Sequence, residues 1–123
     1  MGKFSFSKGE RLKKEKWIEE LFSKGASFTI YPFRVIYLPN PQQNLHHQVL
    51  FTASSRNFKK AVDRNKIKRR TREAYRLKKA ILDQAPKLVI GFVYTAKELL
   101  DYSQIEEAVV KSLEKLKKTK PNA

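Results

Sequence analysis

The stretch 87–95, Lys-Leu-Val-Ile-Gly-Phe-Val-Tyr-Thr, most limits what this chain can become. Read as a strand, it sets Leu88, Ile90, Phe92 and Tyr94 on one face and Val89, Val93 and Thr95 on the other. A strand that is apolar on both faces needs cover on both. The stretch therefore predicts a central strand with other elements packed over it.

The neighbouring patterns supply those elements. Between 26 and 38, Phe33, Val35 and Tyr37 alternate with Arg34, Ile36 and Leu38, and Pro32 interrupts them. Pro is excluded from a paired strand interior, so the segment reads as two short strands or one with a bulge. A polar turn over 39–47 precedes a third strand over 48–54, with Val49, Phe51 and Ala53 on one face. Trp17, Ile18, Leu21 and Phe22 recur at helical spacing, predicting a helix over 8–24. A Ser7–Glu10 capping box would open it and Gly25 would stop it. A long helix is expected over 61–82, ended by Pro86. A third would begin at a Ser103–Glu106 capping box and bury Ile105, Ala108, Val109, Ser112, Leu113 and Leu116. Its basic end, 115–123, is expected to fray. The order αβββαβα gives an α+β fold: a two-layer sandwich of a mixed sheet and helices. A single domain over 1–123 is expected, with flexible ends at 1–7 and 119–123.

Charge narrows the function. The chain has 27 Lys and Arg against 12 Asp and Glu, a net +15. Such an excess repels itself and is relieved by a polyanion, of which nucleic acid is the commonest. There is no Cys, no continuous apolar leader and no run long enough to span a membrane. These features point to the cytoplasm and away from a membrane partner.

Much of the charge is gathered in one place. From 56 to 79 stand Arg56, Lys59, Lys60, Arg64, Lys66, Lys68, Arg69, Arg70, Arg72, Arg76, Lys78 and Lys79, opposed only by Asp63 and Glu73. On a helical wheel with about 100° per residue, Ile67, Thr71, Ala74, Leu77, Ile81 and Leu82 form an apolar arc. The opposite arc holds Lys68, Lys79, Arg72, Asn65, Arg76 and Arg69, with Arg64 and Tyr75 at its edge. Arg70 and Lys78 fall inside the apolar arc and would have to snorkel. Arginine forks match phosphate oxygens, and an amide among them can read a base edge or a 2′-hydroxyl. A merely solvated face would mix charge signs, which this one hardly does.

No catalytic centre of the protein's own is visible. His46 and His47 are adjacent in a turn and read as surface residues. Asp63 and Glu73 have no carboxylate neighbours of the kind a two-metal nuclease needs.

The segment 60–76, Lys-Ala-Val-Asp-Arg-Asn-Lys-Ile-Lys-Arg-Arg-Thr-Arg-Glu-Ala-Tyr-Arg, closely resembles the signature A-V-x-R-N-x-x-K-R-x-x-R of the bacterial ribonuclease P protein family. Ala61, Val62, Arg64, Asn65, Lys68, Arg69 and Arg72 match it. Arg11-Leu12-Lys13-Lys14, Phe22 and Gly25 before a strand are also similar, and the resemblance covers about residues 8–118. It implies a left-handed βαβ crossover, where general rules favour the right-handed one. It further implies hydrolysis by a large RNA subunit, with Mg²⁺ bound by that RNA and the substrate and no cofactor on the protein. The chain alone should not cleave. The catalytic RNA would be bound by Arg56, Lys60, Arg64, Asn65, Lys66, Lys68, Arg69, Arg72 and Arg76. A cleft between sheet and helix would hold the single-stranded 5′ leader of precursor tRNA, with Trp17, Ile18, Phe22, Phe33 and Tyr37 as candidate contacts. Taken alone, each of these side chains reads better as core. DNA is not an expected partner. Ile18 stands where the family has an aromatic and Lys59 where it has a glycine. The sheet aromatic is displaced by one, at Tyr37 beside Ile36. The alternatives are a ribosomal or other structural RNA-binding protein and a self-sufficient nuclease.

Overall fold

The computed structural model describes residues 15–40, 46–83 and 85–118, with side chains from Ile18 onward. The expected Ser7–Glu10 box and both chain ends lie outside these residues. The elements are α1 (Glu15–Lys24), β1 (Ala26–Ile30), β2 (Phe33–Pro39), β3 (Gln48–Ala53), α2 (Ala61–Lys78), β4 (Leu88–Tyr94) and α3 (Tyr102–Lys118), with a 3-10 turn Lys79–Leu82 extending α2. The interruption at Pro32 resolves into a hairpin, β1 pairing antiparallel with β2.

The sheet order is β1-β2-β4-β3. β4 runs antiparallel to β2 and parallel to β3, so β3–α2–β4 is a βαβ unit and the sheet is mixed. As its composition required, β4 is internal and covered on both faces. Leu88, Ile90, Phe92 and Tyr94 join Phe33, Val35, Val49 and the inner faces of α2 and α3 in the larger core. Val89 joins Leu21 and Ile36 in a smaller core beneath α1, with Ile18, Leu38, Leu50 and Val93 at its edge. The sandwich of sheet on helices is present, and α1 adds cover on the opposite face.

Two local expectations are corrected, and a third holds for a different reason. α1 ends at Lys24, where Gly25 is expected to stop it, but without a left-handed cap, since no residue has positive φ among those described. The Gly25 amide donates to the Leu21 carbonyl at 3.0 Å. A β-carbon there would lie 2.4 Å from that oxygen and 2.6 Å from Ile36 Cγ2, so glycine is required by close approach. The capping box of α3 sits two residues early. Asp101 Oδ1 accepts the Gln104 amide at 2.9 Å and Gln104 Oε1 faces the Asp101 amide at 3.4 Å. His47 is buried, not a surface residue. Its Nδ1 accepts the Leu88 amide at 3.0 Å, which leaves Nε2, 3.3 Å from the Leu82 carbonyl, as the donor.

Candidate nucleic-acid interface

α2 is seated by Ile67, Thr71, Ala74 and Tyr75, all buried. The seat is rotated slightly from the expected arc. Tyr75, placed at the edge by the wheel, stacks edge-on against Phe51 and Phe92, while Leu77 is 36% exposed. The reason is the aromatic cluster of β3 and β4, which accepts a large ring more readily than an aliphatic branch.

The rotation leaves Asn65 and Arg69 fully outward and Lys66, Lys68 and Arg72 half-exposed on the flanks. Arg72 Nε is shielded from solvent and has no hydrogen-bond partner. Such a donor is costly to leave unpaired and is suited to an incoming acceptor. Arg56, Lys59 and Lys60 are exposed in the loop before the helix. These side chains gather into one cationic surface, and none of them is ion-paired with an acidic residue among the described residues.

Other basic residues of the segment are turned inward. Arg64 Nη1 donates to the carbonyls of Phe58 at 2.7 Å and Lys59 at 3.0 Å. It thereby ties the first turn of α2 to the loop, where the N-cap, Lys60, has no capping side chain. Phe58 anchors this loop in the core against Tyr94. Arg70, predicted to snorkel, instead donates to the Leu100 carbonyl at 2.5 Å. Arg76 pairs with Glu73 one turn earlier. The hydrogen bond from Arg76 holds the Glu73 carboxyl below its ordinary range, and the same bond raises the Arg76 guanidinium. So Arg64 and Arg76 are only partly available to a ligand. Tyr102, within electrostatic reach of Glu73 and Arg76, is pushed up to about 12, chiefly by burial and then by its hydrogen bond to Glu106.

The expected cleft residues do not share one face. Strand parity puts Phe33 and Tyr37 on the side of α2 and α3, whereas Ile18 belongs to α1 and packs against the other face. Phe33 is only 1% exposed and packed edge-on against Phe92 and Tyr94, leaving no surface for a base. Tyr37 packs on Phe28 with ring centroids 5.9 Å apart. Phe33 therefore offers no face to a base, and Tyr37 and Ile18 do not line one cleft together. Phe22 is 47% exposed on α1. Trp17 falls in the first turn of α1, where side chains lie outside the described residues. Alongside α1 the open part of its sheet face carries Arg34, Leu50, Thr52 and Val93, which share parity with Ile36 and Val89. The sequence reading passed over these four. Their signal was the same alternation, followed from Ile36 instead of Tyr37.

A family model for ribonuclease P matches residues 6–117. The chain belongs to the ribonuclease P protein family. It is 36% identical over 116 residues to the ribonuclease P protein component of Porphyromonas gingivalis, covering 89% of this chain and 85% of that one. It is 34% identical over 119 residues to that of Petrotoga mobilis, covering 91% and 95%. Among solved structures it resembles the RNase P protein of Staphylococcus aureus at 25% identity and a TM-score of 0.71, over 90% of this chain and 97% of that one. The RNase P protein of Thermotoga maritima shares the fold, with a TM-score of 0.73 at 22% identity over 86% and 96%. Membership of the ribonuclease P family implies a role in tRNA 5′ processing within a ribonucleoprotein and an RNA partner. No helix among the described residues is long and apolar enough to cross a membrane.

Proposed function

We propose that this chain is the protein subunit of ribonuclease P, clamping the catalytic RNA with α2 and the 5′ leader of precursor tRNA with the α1 face of the sheet. The outward Asn65, Lys68, Arg69 and Arg72, with the unpartnered Nε of Arg72, carry the reading. Phosphates of a folded RNA would neutralise this strip, and each neutralised phosphate adds about 0.9 to the salt slope. The leader would lie over Ile18, Phe22, Leu50, Thr52 and Val93. There an exposed aromatic can stack on a base for about 1–3 kcal/mol, while the strand hydroxyl and Arg34 meet its backbone.

Catalysis would belong to the RNA, with Mg²⁺ held by the RNA and the substrate. No three His, Cys, Asp or Glu side chains converge among the described residues. The protein's contribution is positional: it lends cations where two RNA backbones approach each other, and so lowers the Mg²⁺ that their repulsion demands.

The test is reconstitution. Purified chain added to the cognate catalytic RNA should accelerate precursor cleavage at low Mg²⁺, where the RNA alone is slow. Arg69→Ala and Arg72→Ala should each weaken binding to that RNA and reduce its salt slope by about one. Equal rates with and without protein, or unchanged slopes, would refute the reading.

A further inference from the structure

One apolar side chain of α2 is turned away from the core. Val62, in the first turn, is 69% exposed, more than any other large hydrophobic side chain among the described residues. It stands five residues before Ile67, so at about 100° per residue it lies about 140° around the helix from that buried anchor. Ala61 beside it is exposed as well. A β-branched residue is also a poorer helix former than the Lys and Arg that fill most of this helix. Neither burial nor propensity therefore gives Val62 a role in the free chain.

A single surface valine is ordinary, but the setting of this one is not. Asn65, Lys66 and Arg69 follow it by three, four and seven residues and continue the same face. Lys59 and Lys60 are exposed in the loop just before it. Val62 is thus an aliphatic side chain set into a cationic stripe, with positive charge on either side along the axis. Lys60 and Arg69 are about 13 Å apart in that direction, so a strand whose phosphates meet both lies across Val62. The turn that carries it is fixed, because Arg64 Nη1 ties it to the carbonyls of Phe58 and Lys59.

RNA offers the surface that such a side chain needs. Its shallow minor groove and its unpaired strands present riboses and base faces, carbon surfaces lying between phosphates. Cations that neutralise the phosphates bring this surface down on the isopropyl group, and water leaves both.

We propose that Val62 is an apolar contact of the catalytic RNA, packed on the ribose or base of a nucleotide between the phosphates that meet Lys60 and Arg69. The inference rests on α2 being the RNA-binding helix. It adds to the charge contacts of that helix one that salt screening does not reach.

The test is filter binding of the full chain to the cognate catalytic RNA across a salt series, with urea unfolding of each free variant. Val62→Ala should weaken binding by about three- to tenfold, the share of two buried methyl groups. The loss should be the same at every salt concentration, leaving the salt slope at its wild-type value. The urea midpoint should not fall, because the side chain is solvated and Ala is the better helix former. Val62→Ile should bind within about twofold of wild type, whereas Val62→Thr, of the same shape but polar, should bind about as weakly as Val62→Ala. Arg69→Ala, run in parallel, should flatten the slope by about one. If Arg69→Ala does so while Val62→Ala binds like wild type, the apolar contact is refuted and the RNA-binding helix stands; if neither changes binding, both fall. A salt slope or a urea midpoint that drops in Val62→Ala also overturns the proposal, since the side chain would then be acting through the helix.

Discussion

Gly25→Ala is the substitution that most directly tests how α1 is held to the sheet. The new methyl would lie 2.4 Å from the Leu21 carbonyl oxygen and 2.6 Å from Ile36 Cγ2. Ordinary contact begins at 3.4 Å, so one side must retreat by about 1 Å. The first obstacle is backbone and the second is the branch of a core residue on β2, so neither can swing aside. α1 would have to lift, uncovering Leu21, which is fully buried. Overpacking of this kind costs about 1–3 kcal/mol and occasionally more. Because two rigid neighbours are struck at once, the expected loss is about 3 kcal/mol, a sizeable share of the roughly 5–15 kcal/mol that holds a typical domain. Gly91→Ala provides the contrast. Its methyl would meet only the tip of Leu21, at 3.0 Å, which can rotate away, so its cost should stay below about 1 kcal/mol. Urea titrations with an unchanged m-value would measure both. A Gly25→Ala protein within about 0.5 kcal/mol of wild type, or no less stable than Gly91→Ala, would refute the close-approach argument.

Three further outcomes are expected. Glu73→Gln should release Arg76 to phosphate and tighten binding to the catalytic RNA by about two- to fivefold in filter binding, with a steeper salt dependence; unchanged affinity would show that the pair does not limit Arg76. Arg64→Met should uncouple the loop from α2, so a double-mutant cycle with Lys59→Ala should be non-additive by about 0.5 kcal/mol or more in RNA binding; additivity would mean that Arg64 does not act through the loop. The Tyr102 hydroxyl, pushed up to about 12 by burial and then by Glu106, favours the folded state while protonated, so its contribution is full below pH 10 and lost as pH rises toward 12. Tyr102→Phe should flatten the fall in urea midpoint over that window, and an unaltered alkaline limb would contradict this.

The double-sided apolar character of 88–94 and the gathering of cations over 56–79 were enough to place the central strand and the outward strip, because both follow from local periodicity. What escaped periodicity was settled by contacts distant in sequence. Arg64 reads as a ligand-facing cation, and Arg70 as one snorkelling out of the apolar arc, until the carbonyls of Phe58, Lys59 and Leu100 are in place around them. Gly25 has the composition of a helix stop, yet what excludes a side chain there comes partly from β2. Two capping patterns overlap at the start of α3, and composition cannot choose between Asp101 and Ser103. Phe33 and Tyr37 carry rings that could stack on a base, yet they alternate in step with Val35, which the larger core takes. A face is set by parity, not by residue type.

α2 is fastened at both extremities. Arg64 moors its first turn to the preceding carbonyls, and His47, 35 residues before Leu82, holds the carbonyl where the following turn ends. A docking helix moored in this way cannot fray from either end, so its shape is paid for during folding. On the proposed function, a nucleic acid arriving on it would meet a preorganised template and lose little binding free energy to ordering the polypeptide.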